Sequence, residues 1–307
     1  MSSAVLERRL RAGEFVITAE ITPPLSADPQ ALLDIALPLR GAADAVNITE
    51  GASARAHLDA LTAAGILVRA GIDPVLQLTC RDRNRIALQS MLVGAAAQGV
   101  RNILSLRGDD PAAGDQPDAK PVFDLDSTAL LLTARSIRDR GVLPHGQAVG
   151  GKAEFFLGAA DTPVDPAPDW RPDGLKRKLQ AGAQFVQTQF CLDPGVVRRY
   201  VERLAEHQLT SQLFILIGLA PLASARSARW IRQHLFGSII PEALIERLEA
   251  AADEKLEGRR ICLELMQQMQ QIPGVAGVHL MAPLNNAVLP DVIRDFRAAA
   301  SGKSRAV

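Results

Sequence analysis

The chain has 307 residues, of which 48% are hydrophobic, 22% are charged and 4% are aromatic. A chain of this length and apolarity buries roughly three quarters of its extended surface on folding, which excludes extensive disorder. Its 34 lysines and arginines balance its 34 aspartates and glutamates. Without a net charge there is no global field to hold a nucleic-acid backbone, so we expect no nucleic-acid partner.

The cysteines Cys80, Cys191 and Cys262 are too few and too scattered for a disulfide framework or a zinc site. We therefore expect a reducing compartment and no metal. The first ten residues carry charges and lack the apolar run of a signal peptide. The longest apolar run, Leu213–Ala223, is about half of what a bilayer requires. The sequence predicts a soluble, cytoplasmic protein without a membrane partner.

Short apolar or β-branched runs, most of them about thirty residues apart, alternate with stretches of helical periodicity or composition. The predicted strands are Phe15–Ile21, Ala45–Thr49, Pro74–Thr79, Asn102–Leu106, Glu154–Ala159, Gln184–Thr188, Leu213–Gly218 and Gly277–Met281. The predicted helices are Asp28–Arg40, Ser53–Ala70, Arg83–Gln98, Ser127–Arg140, Asp173–Ala181, Pro194–His207, Ala225–Leu235 and Gly258–Gln271.

Continuous apolar strands that alternate with helices indicate a parallel sheet covered by helices, and eight such units close into a (βα)8 TIM barrel. An open doubly wound sheet is the alternative, but no Gly-x-Gly-x-x-Gly opens a helix after any strand. We expect residues 1–307 to form one catalytic barrel domain. Residues 1–13 and 302–307 are expected to be poorly ordered, and Pro241–Glu257 to form a helical insertion outside the barrel.

In a barrel enzyme the chemistry lies where strands end and the following loops begin. Glu20 ends an apolar strand just before Pro23 and Pro24, and burial there would raise the pKa of its carboxyl, as a general acid near neutrality requires. The alternative is a structural ion pair with an arginine of a neighbouring strand. The residues alone do not decide between the two.

Other strand ends carry amides and glycine rather than a catalytic triad or a metal-ligand cluster. Gly108 and Asp109 would bring backbone and a carboxylate close to a flat ligand, although Asp-Asp-Pro is also a common turn. Gln187 and Gln189 would present two amides on one rim, or would simply cap loops. The five histidines are dispersed, and we assign none of them a role.

Six segments at these strand ends and loops carry a family resemblance. They are Ala19–Pro24, Gln77–Asn84, Arg101–Asp109, Val122–Ser127, Phe155–Ala160 and Lys176–Gln189. Together they resemble the methylenetetrahydrofolate reductases, the flavin-dependent (βα)8 enzymes of one-carbon metabolism, and the resemblance spans nearly the whole chain. Arg81–Asn84 and Phe123–Ser127 are similar to the bacterial branch in which this domain stands alone or is fused to a homocysteine methyltransferase. We expect neither that fusion nor a regulatory domain here.

The resemblance implies roles for the rim residues. Glu20 matches the acid that protonates the folate and opens its methylene bridge to a reactive iminium. Asp109 matches the aspartate beside the flavin and the pterin, and Gln189 matches the glutamine that holds the folate. The flavin-binding positions match Thr49, Gln77, Leu106, Arg107, Gly108, Asp109, Phe123, Gly158, Ala160, Arg177 and Lys178.

The implied reaction uses FAD and NAD(P)H in a ping-pong sequence. NAD(P)H reduces the flavin and leaves, and the flavin then passes hydride to the folate to give 5-methyltetrahydrofolate for methionine synthesis, or the reverse in one-carbon catabolism. The folate is the small-molecule partner. Because the family forms dimers and tetramers, the resemblance also implies a homo-oligomer.

Four positions depart from the pattern common in the family. Gln77 stands where many members have His, Phe123 where Tyr is frequent, Glu50 where an aromatic is common, and Gly174 where an Asn stands in the better-known bacterial enzymes. These departures leave two alternatives open: a flavin-free enzyme passing hydride directly from NADH to folate, and a non-catalytic folate-binding subunit of a methyl-transfer complex. The presence of Glu20, Asp109 and Gln189 argues against the second, because a pure binding module would need no buried acid.

Overall fold

The computed structural model describes residues 4–283 and 285–300, and within them it has eight β-strands. The strands are β1 (Val16–Ile21), β2 (Ala45–Ile48), β3 (Pro74–Thr79), β4 (Asn102–Leu106), β5 (Phe156–Asp161), β6 (Phe185–Phe190), β7 (Phe214–Leu219) and β8 (Val275–Leu280). Each boundary lies within two residues of the one predicted from the sequence. Short runs rich in β-branched and apolar residues are therefore a sufficient signal for these buried strands.

The strands pair in chain order, all parallel, and β1 also pairs with β8. This last pairing closes the sheet, so the predicted (βα)8 barrel is confirmed and the open doubly wound sheet is excluded. The register places Thr18 of β1 opposite His279 of β8, and Glu20 opposite Asn47 of β2. Closure thus brings the first and the last strand of the barrel side by side.

Helices cover the outside of the barrel. They are α1 (Val5–Arg11), α2 (Pro29–Ala36), α3 (Ala60–Arg69), α4 (Arg85–Ala97), α5 (Ser127–Arg140), α6 (Asp173–Gln180), α7 (Pro194–Glu206), α8 (Ala225–His234), α9 (Glu242–Glu249), α10 (Glu254–Gln270) and α11 (Leu289–Ala300). Side chains of Asp28, Asn84 and Asp126 cap the first turns of α2, α4 and α5. In the described part of the chain, no helix combines the length and apolarity needed to cross a membrane.

The helices differ from the sequence prediction at four places. The helix predicted over Asp28–Arg40 ends at Ala36, and Leu37–Leu39 continue it as a 3₁₀ turn. The helix predicted from Ser53 begins only at Ala60, because Asp59 accepts a hydrogen bond from the Thr62 N–H and caps α3. The last helix, α11, was not predicted, although its apolar residues recur at helical spacing. The predicted insertion contains α9, but residues from Glu254 onward already belong to α10.

The amino-terminal segment also differs from the prediction. Residues 1–3 of the predicted poorly ordered lead-in, 1–13, lie outside the described residues. Within the rest, Val5–Arg11 form α1, and both Leu6 and Leu10 are fully buried. These two leucines pack in one cluster with the interior residues Val16 and Phe156, so α1 closes the amino-terminal mouth of the barrel. The predicted tail, 302–307, lies outside the described residues.

The barrel interior changes character from one end to the other. Next to α1 it is filled by an apolar layer made of Val16, Ala45, Val75, Leu104, Phe156, Phe185 and Leu216. Phe156 and Phe185 stack with ring centroids 4.9 Å apart. One layer nearer the carboxyl ends, the interior becomes polar with Thr18, Asn47, Gln77, Gln187 and His279. The apolar layer forms a rigid floor beneath this polar layer.

Candidate active site at the carboxyl ends of the strands

Glu20 lies near the carboxyl end of β1, and its side chain is 23% exposed. Gln77 Nε2 donates to Glu20 Oε2 at 2.7 Å, and His279 Nε2 lies 3.4 Å from the same oxygen. No arginine contacts Glu20 among the described residues, so the structure does not support the predicted alternative of an arginine ion pair. Two polar side chains therefore hold one oxygen of Glu20, whereas its other oxygen has no protein partner there.

The loop after β4 positions Gly108 and Asp109. Gly108 has a φ of +93°, and a Cβ on it would lie 2.9 Å from the Cβ of Arg81 and 3.1 Å from the Cβ of Thr79. Glycine is required here by both conformation and space. Arg81 Nη1 donates to the backbone oxygen of Asp109 at 3.4 Å, and the Asp109 side chain is left exposed at the rim.

Two of the predicted flavin positions contact each other. The Arg107 guanidinium stands 4.6 Å from the centroid of the Phe123 ring, a cation–π contact. Phe123 has a φ of +42°, a conformation that non-glycine residues rarely adopt. Leu106, at the end of β4, is half-buried beside Arg107. This pair gives the rim one flat, positively charged surface.

Helix α6 presents two cations near the end of β5. Lys178 Nζ donates to the Ala160 backbone oxygen at 2.5 Å and lies 3.9 Å from Asp161 Oδ1. Arg177 is exposed and makes no ion pair within the described part of the chain. The two side chains can neutralise phosphate charge at this edge of the barrel.

Gly158 is needed for packing. A Cβ on Gly158 would lie 2.3 Å from the Phe185 ring, which fills the space beneath it. The resemblance assigned this glycine to flavin contact, and the structure gives it an additional reason within the protein. Because Gly158 has no side chain, the Phe185 ring of the apolar layer can pack against its backbone, directly beneath the polar layer.

The ends of β2 and β3 are tied together by Glu50. Its buried carboxylate accepts hydrogen bonds from the Thr79 N–H and hydroxyl, and from Arg83 Nη1 at 2.6 Å. Burial raises the pKa of Glu50, while the charge of Arg83 and the bonds from Thr79 lower it. The neighbouring Thr49 is 7% exposed, and its Oγ1 has no hydrogen-bond partner among the residues that the structure describes.

These residues fit a bound flavin dinucleotide. The buried, unpartnered Thr49 hydroxyl would gain a partner from a polar ligand atom, and a buried hydroxyl without one is costly. Arg177 and Lys178 would meet the pyrophosphate, and Arg107 on Phe123 would flank the ligand. The donor set is thus suited to a planar, polar and anionic group.

The three residues with implied folate roles share the rim without touching. The described contacts join neither Glu20 to Asp109 nor either of them to the Gln189 side chain. Gln189 is half-buried, and its Oε1 accepts from the Phe190 N–H at 3.0 Å. A ligand that contacts all three would have to span the mouth of the barrel.

The structure corrects the expected placement of one amide and shows a contact of one histidine. Gln187, expected on the rim beside Gln189, is 3% exposed and faces the barrel interior. His279, to which we assigned no role, contacts the Glu20 carboxylate. The sequence did contain a signal for His279, because residues 277 and 279 of a strand face the same side, here the barrel interior. Only the pairing of β8 with β1, which closes the barrel, places His279 beside Glu20.

No group of three or more His, Cys, Asp or Glu side chains that could hold a metal occurs in residues 4–283 and 285–300.

Comparison with known proteins identifies the family. The family model described as methylenetetrahydrofolate reductase matches residues 5–295. The chain belongs to the methylenetetrahydrofolate reductase family. The resemblance seen in the six sequence segments is therefore confirmed.

Individual relatives are distant. A probable methylenetetrahydrofolate reductase (NADPH) of Caenorhabditis elegans is 26% identical over 242 residues, 76% of this chain. The 5,10-methylenetetrahydrofolate reductase of Salmonella typhimurium is 26% identical over 229 residues, which cover 73% of this chain and 69% of that protein. The chain spans only about a third of the length of the C. elegans relative, 34% of it.

Among solved structures, a protein from Clostridium thermocellum superposes with a TM-score of 0.67 at 13% identity, covering 94% of this chain and 96% of that one. It is described as an uncharacterized protein that binds two copies of 5-methyl-5,6,7,8-tetrahydrofolic acid. At this identity the likeness shows the barrel fold alone.

Proposed function

We propose that this protein is a 5,10-methylenetetrahydrofolate reductase that transfers hydride from NAD(P)H through FAD to give 5-methyltetrahydrofolate. The observation that carries the proposal is the family match over residues 5–295 together with the Glu20 carboxylate, which contacts Gln77 and His279 of the polar layer at the barrel mouth. Fold alone would not support it, because barrels host unrelated chemistries.

The chain's own residues would do three things in this reaction. Glu20 would hold the proton that the folate nitrogen takes up when the methylene bridge opens, with its Oε2 fixed by Gln77. Asp109, exposed on a backbone held by Arg81, would face the pterin. The half-buried amide of Gln189 would orient the folate by donating and accepting hydrogen bonds.

The residues proposed to hold the cofactor lie at the same rim as the residues proposed to hold the folate. Thr49, Arg107, Phe123 and the cations of α6 would hold FAD, which supplies a two-electron carrier that accepts and gives hydride. The protein's contribution is then orientation and charge, which agrees with a rim whose described residues include no Cys or Ser hydrogen-bonded to a His base.

The visible spectrum of the purified protein tests this proposal most directly. We expect the absorption bands of oxidised flavin, bleached by NADH or NADPH and restored by methylenetetrahydrofolate. The product, 5-methyltetrahydrofolate, is measured by chromatography. Comparing the two nicotinamide nucleotides at equal concentration determines which one is used.

Two other results would overturn it. A colourless protein that still reduces methylenetetrahydrofolate with NADH would mean direct hydride transfer without a flavin. Binding of folate without turnover, with or without added FAD, would identify a folate-binding subunit instead.

A further inference from the structure

A buried polar network lies directly beneath Glu20. Its four side chains are Thr18, Asn47, Gln187 and His279, and each is at most 3% exposed. They come from strands β1, β2, β6 and β8 and meet inside the barrel. Buried polar groups are tolerated only when they are hydrogen-bonded, so the direction of each bond in this network matters.

The network begins with a pair of amides. Asn47 Nδ2 donates to Gln187 Oε1 at 2.6 Å, and Gln187 Nε2 donates back to Asn47 Oδ1 at 2.9 Å. Because each amide serves the other as donor and as acceptor, neither can turn over alone without placing like groups together. The pair leaves one N–H of Gln187 Nε2 for another partner.

That remaining N–H points at Thr18 and His279. Gln187 Nε2 lies 3.0 Å from Thr18 Oγ1 and 3.4 Å from His279 Nδ1. Since Thr18 Oγ1 accepts from Gln187, its own proton goes to another acceptor. His279 Nδ1 at 2.9 Å is nearer than the Val278 backbone oxygen at 3.4 Å. His279 Nδ1 therefore faces donors and serves as an acceptor.

The tautomer of His279 follows from this arrangement. A neutral imidazole whose Nδ1 accepts carries its proton on Nε2. His279 Nε2 lies 3.4 Å from Glu20 Oε2, the oxygen that also accepts from Gln77 Nε2. Both neighbours of this oxygen are then donors, and Oε1 is the oxygen of Glu20 left to carry a proton toward a ligand.

We infer that Gln187 and Asn47 are positioning residues for Glu20, which they serve by holding His279 in the Nε2–H tautomer. The inference rests on the proposed function in so far as Glu20 is the acid of the reaction. The state of His279, however, is a property of the resting protein and is measured without substrate.

Nitrogen-15 NMR of the histidine side chains tests the inference. We expect His279 Nδ1 to show the shift of an unprotonated nitrogen and Nε2 that of a protonated one, with the signal assigned by its loss in His279→Gln. A wild-type protein with the proton on Nδ1 would overturn the inference, whatever the variants do.

Two variants of Gln187 extend the test. Gln187→Glu keeps the shape but places a carboxylate oxygen where the N–H was, so His279 Nδ1 should become protonated. Gln187→Met removes the amide, and the two tautomers should mix. Gln184→Met is the matched control, because Gln184 bonds to Arg138 and the Leu157 N–H instead. An unchanged His279 spectrum in both Gln187 variants would contradict the inference.

Kinetics separate a positioning role from a structural one. In Gln187→Met we expect kcat of the folate half-reaction to fall about tenfold, a fraction of what general acid catalysis contributes, while flavin reduction by NADH is unchanged. Equal losses in both half-reactions would indicate a structural role. If the wild type does not reduce folate at all, the proposed function fails and the NMR result still decides the tautomer.

Discussion

The position of the Glu20 carboxylate depends on two residues that are distant in the sequence. Its place before Pro23 and Pro24 at the end of an apolar strand was visible in the sequence, but its partners were not. Gln77 lies 57 positions away and His279 at the far end of the chain, and both contact the same oxygen. The family resemblance implied an acid role for Glu20, and the contacts show which of its oxygens is held.

Replacing Glu20 by Gln removes the proton that the folate would take up and preserves the size of the side chain. We expect reduction of methylenetetrahydrofolate to fall by about 10²–10⁴-fold, whereas oxidation of NADH with an artificial acceptor stays nearly unchanged. Stopped-flow absorbance of each half-reaction measures this. Glu14→Gln, in an exposed ion pair with Arg9, is the control. Equal loss in both half-reactions would refute an acid role.

At the scale of elements, helix α1 acts as a plug for the barrel. Leu6 and Leu10 complete the apolar layer, and the Leu6 N–H donates to Asp73 Oδ2 at 3.0 Å. Asn102 Nδ2 donates to the other oxygen of Asp73 at 2.9 Å. Burial raises the pKa of Asp73 to about 6, although these two hydrogen bonds lower it.

This raised pKa predicts a pH-dependent stability. Below pH 3.8 Asp73 is protonated in both the folded and the unfolded chain, and between pH 3.8 and about 6 only the folded chain keeps the proton. The associated stabilisation is therefore full at low pH and is lost as the pH rises through 6. The loss is at most about 3 kcal/mol in the free energy of unfolding.

Urea denaturation between pH 4 and pH 7 checks this prediction. Relative to Asp73→Asn, which cannot titrate, the wild type should become less stable as the pH rises across this range. Asp118→Asn, which removes an exposed carboxyl on a loop, should follow the wild-type curve. Parallel curves for wild type and Asp73→Asn would show that Asp73 does not titrate there.

At the scale of the whole molecule, packing of the strands and helices buries every cysteine. Cys80, Cys191 and Cys262 are buried free thiols, and burial raises the pKa of each to about 12. At pH 8 about one thiol in ten thousand would be ionised, and the thiolate is the reactive form. The thiols therefore report on opening of the fold.

We expect none of the three cysteines to react quickly with a disulfide reagent at pH 8 in the native protein. All three should react once guanidinium chloride unfolds the chain, as measured by absorbance of the released thiol. If FAD binds as proposed, adding it should slow any residual reaction, because a ligand of the folded state stabilises that state. Rapid modification of one cysteine in the native protein would instead reveal local opening around that strand or helix.

The sequence alone determined the barrel and the rim residues of the candidate site. Strand signals are local, because a buried strand such as Phe214–Leu219 is apolar over its whole length. The family motifs are local as well, and they led to Glu20, Asp109 and Gln189. Helix α3 begins after its capping residue, Asp59. This capping signal is local, but the helix-forming composition upstream of it led to a predicted start at Ser53.

Only the tertiary structure decided what lies beneath the rim. The segment predicted as a lead-in closes the barrel because Leu6 and Leu10 pack against the apolar layer at its amino-terminal end. No local sequence pattern shows that this end of the barrel is otherwise open. His279 contacts Glu20 because β8 pairs with β1, a contact between opposite ends of the chain. Hydrogen bonds across a closed barrel depend on the register of the strands and on side chains lying at the same height along the barrel axis. Neither can be read from the residues of a single strand.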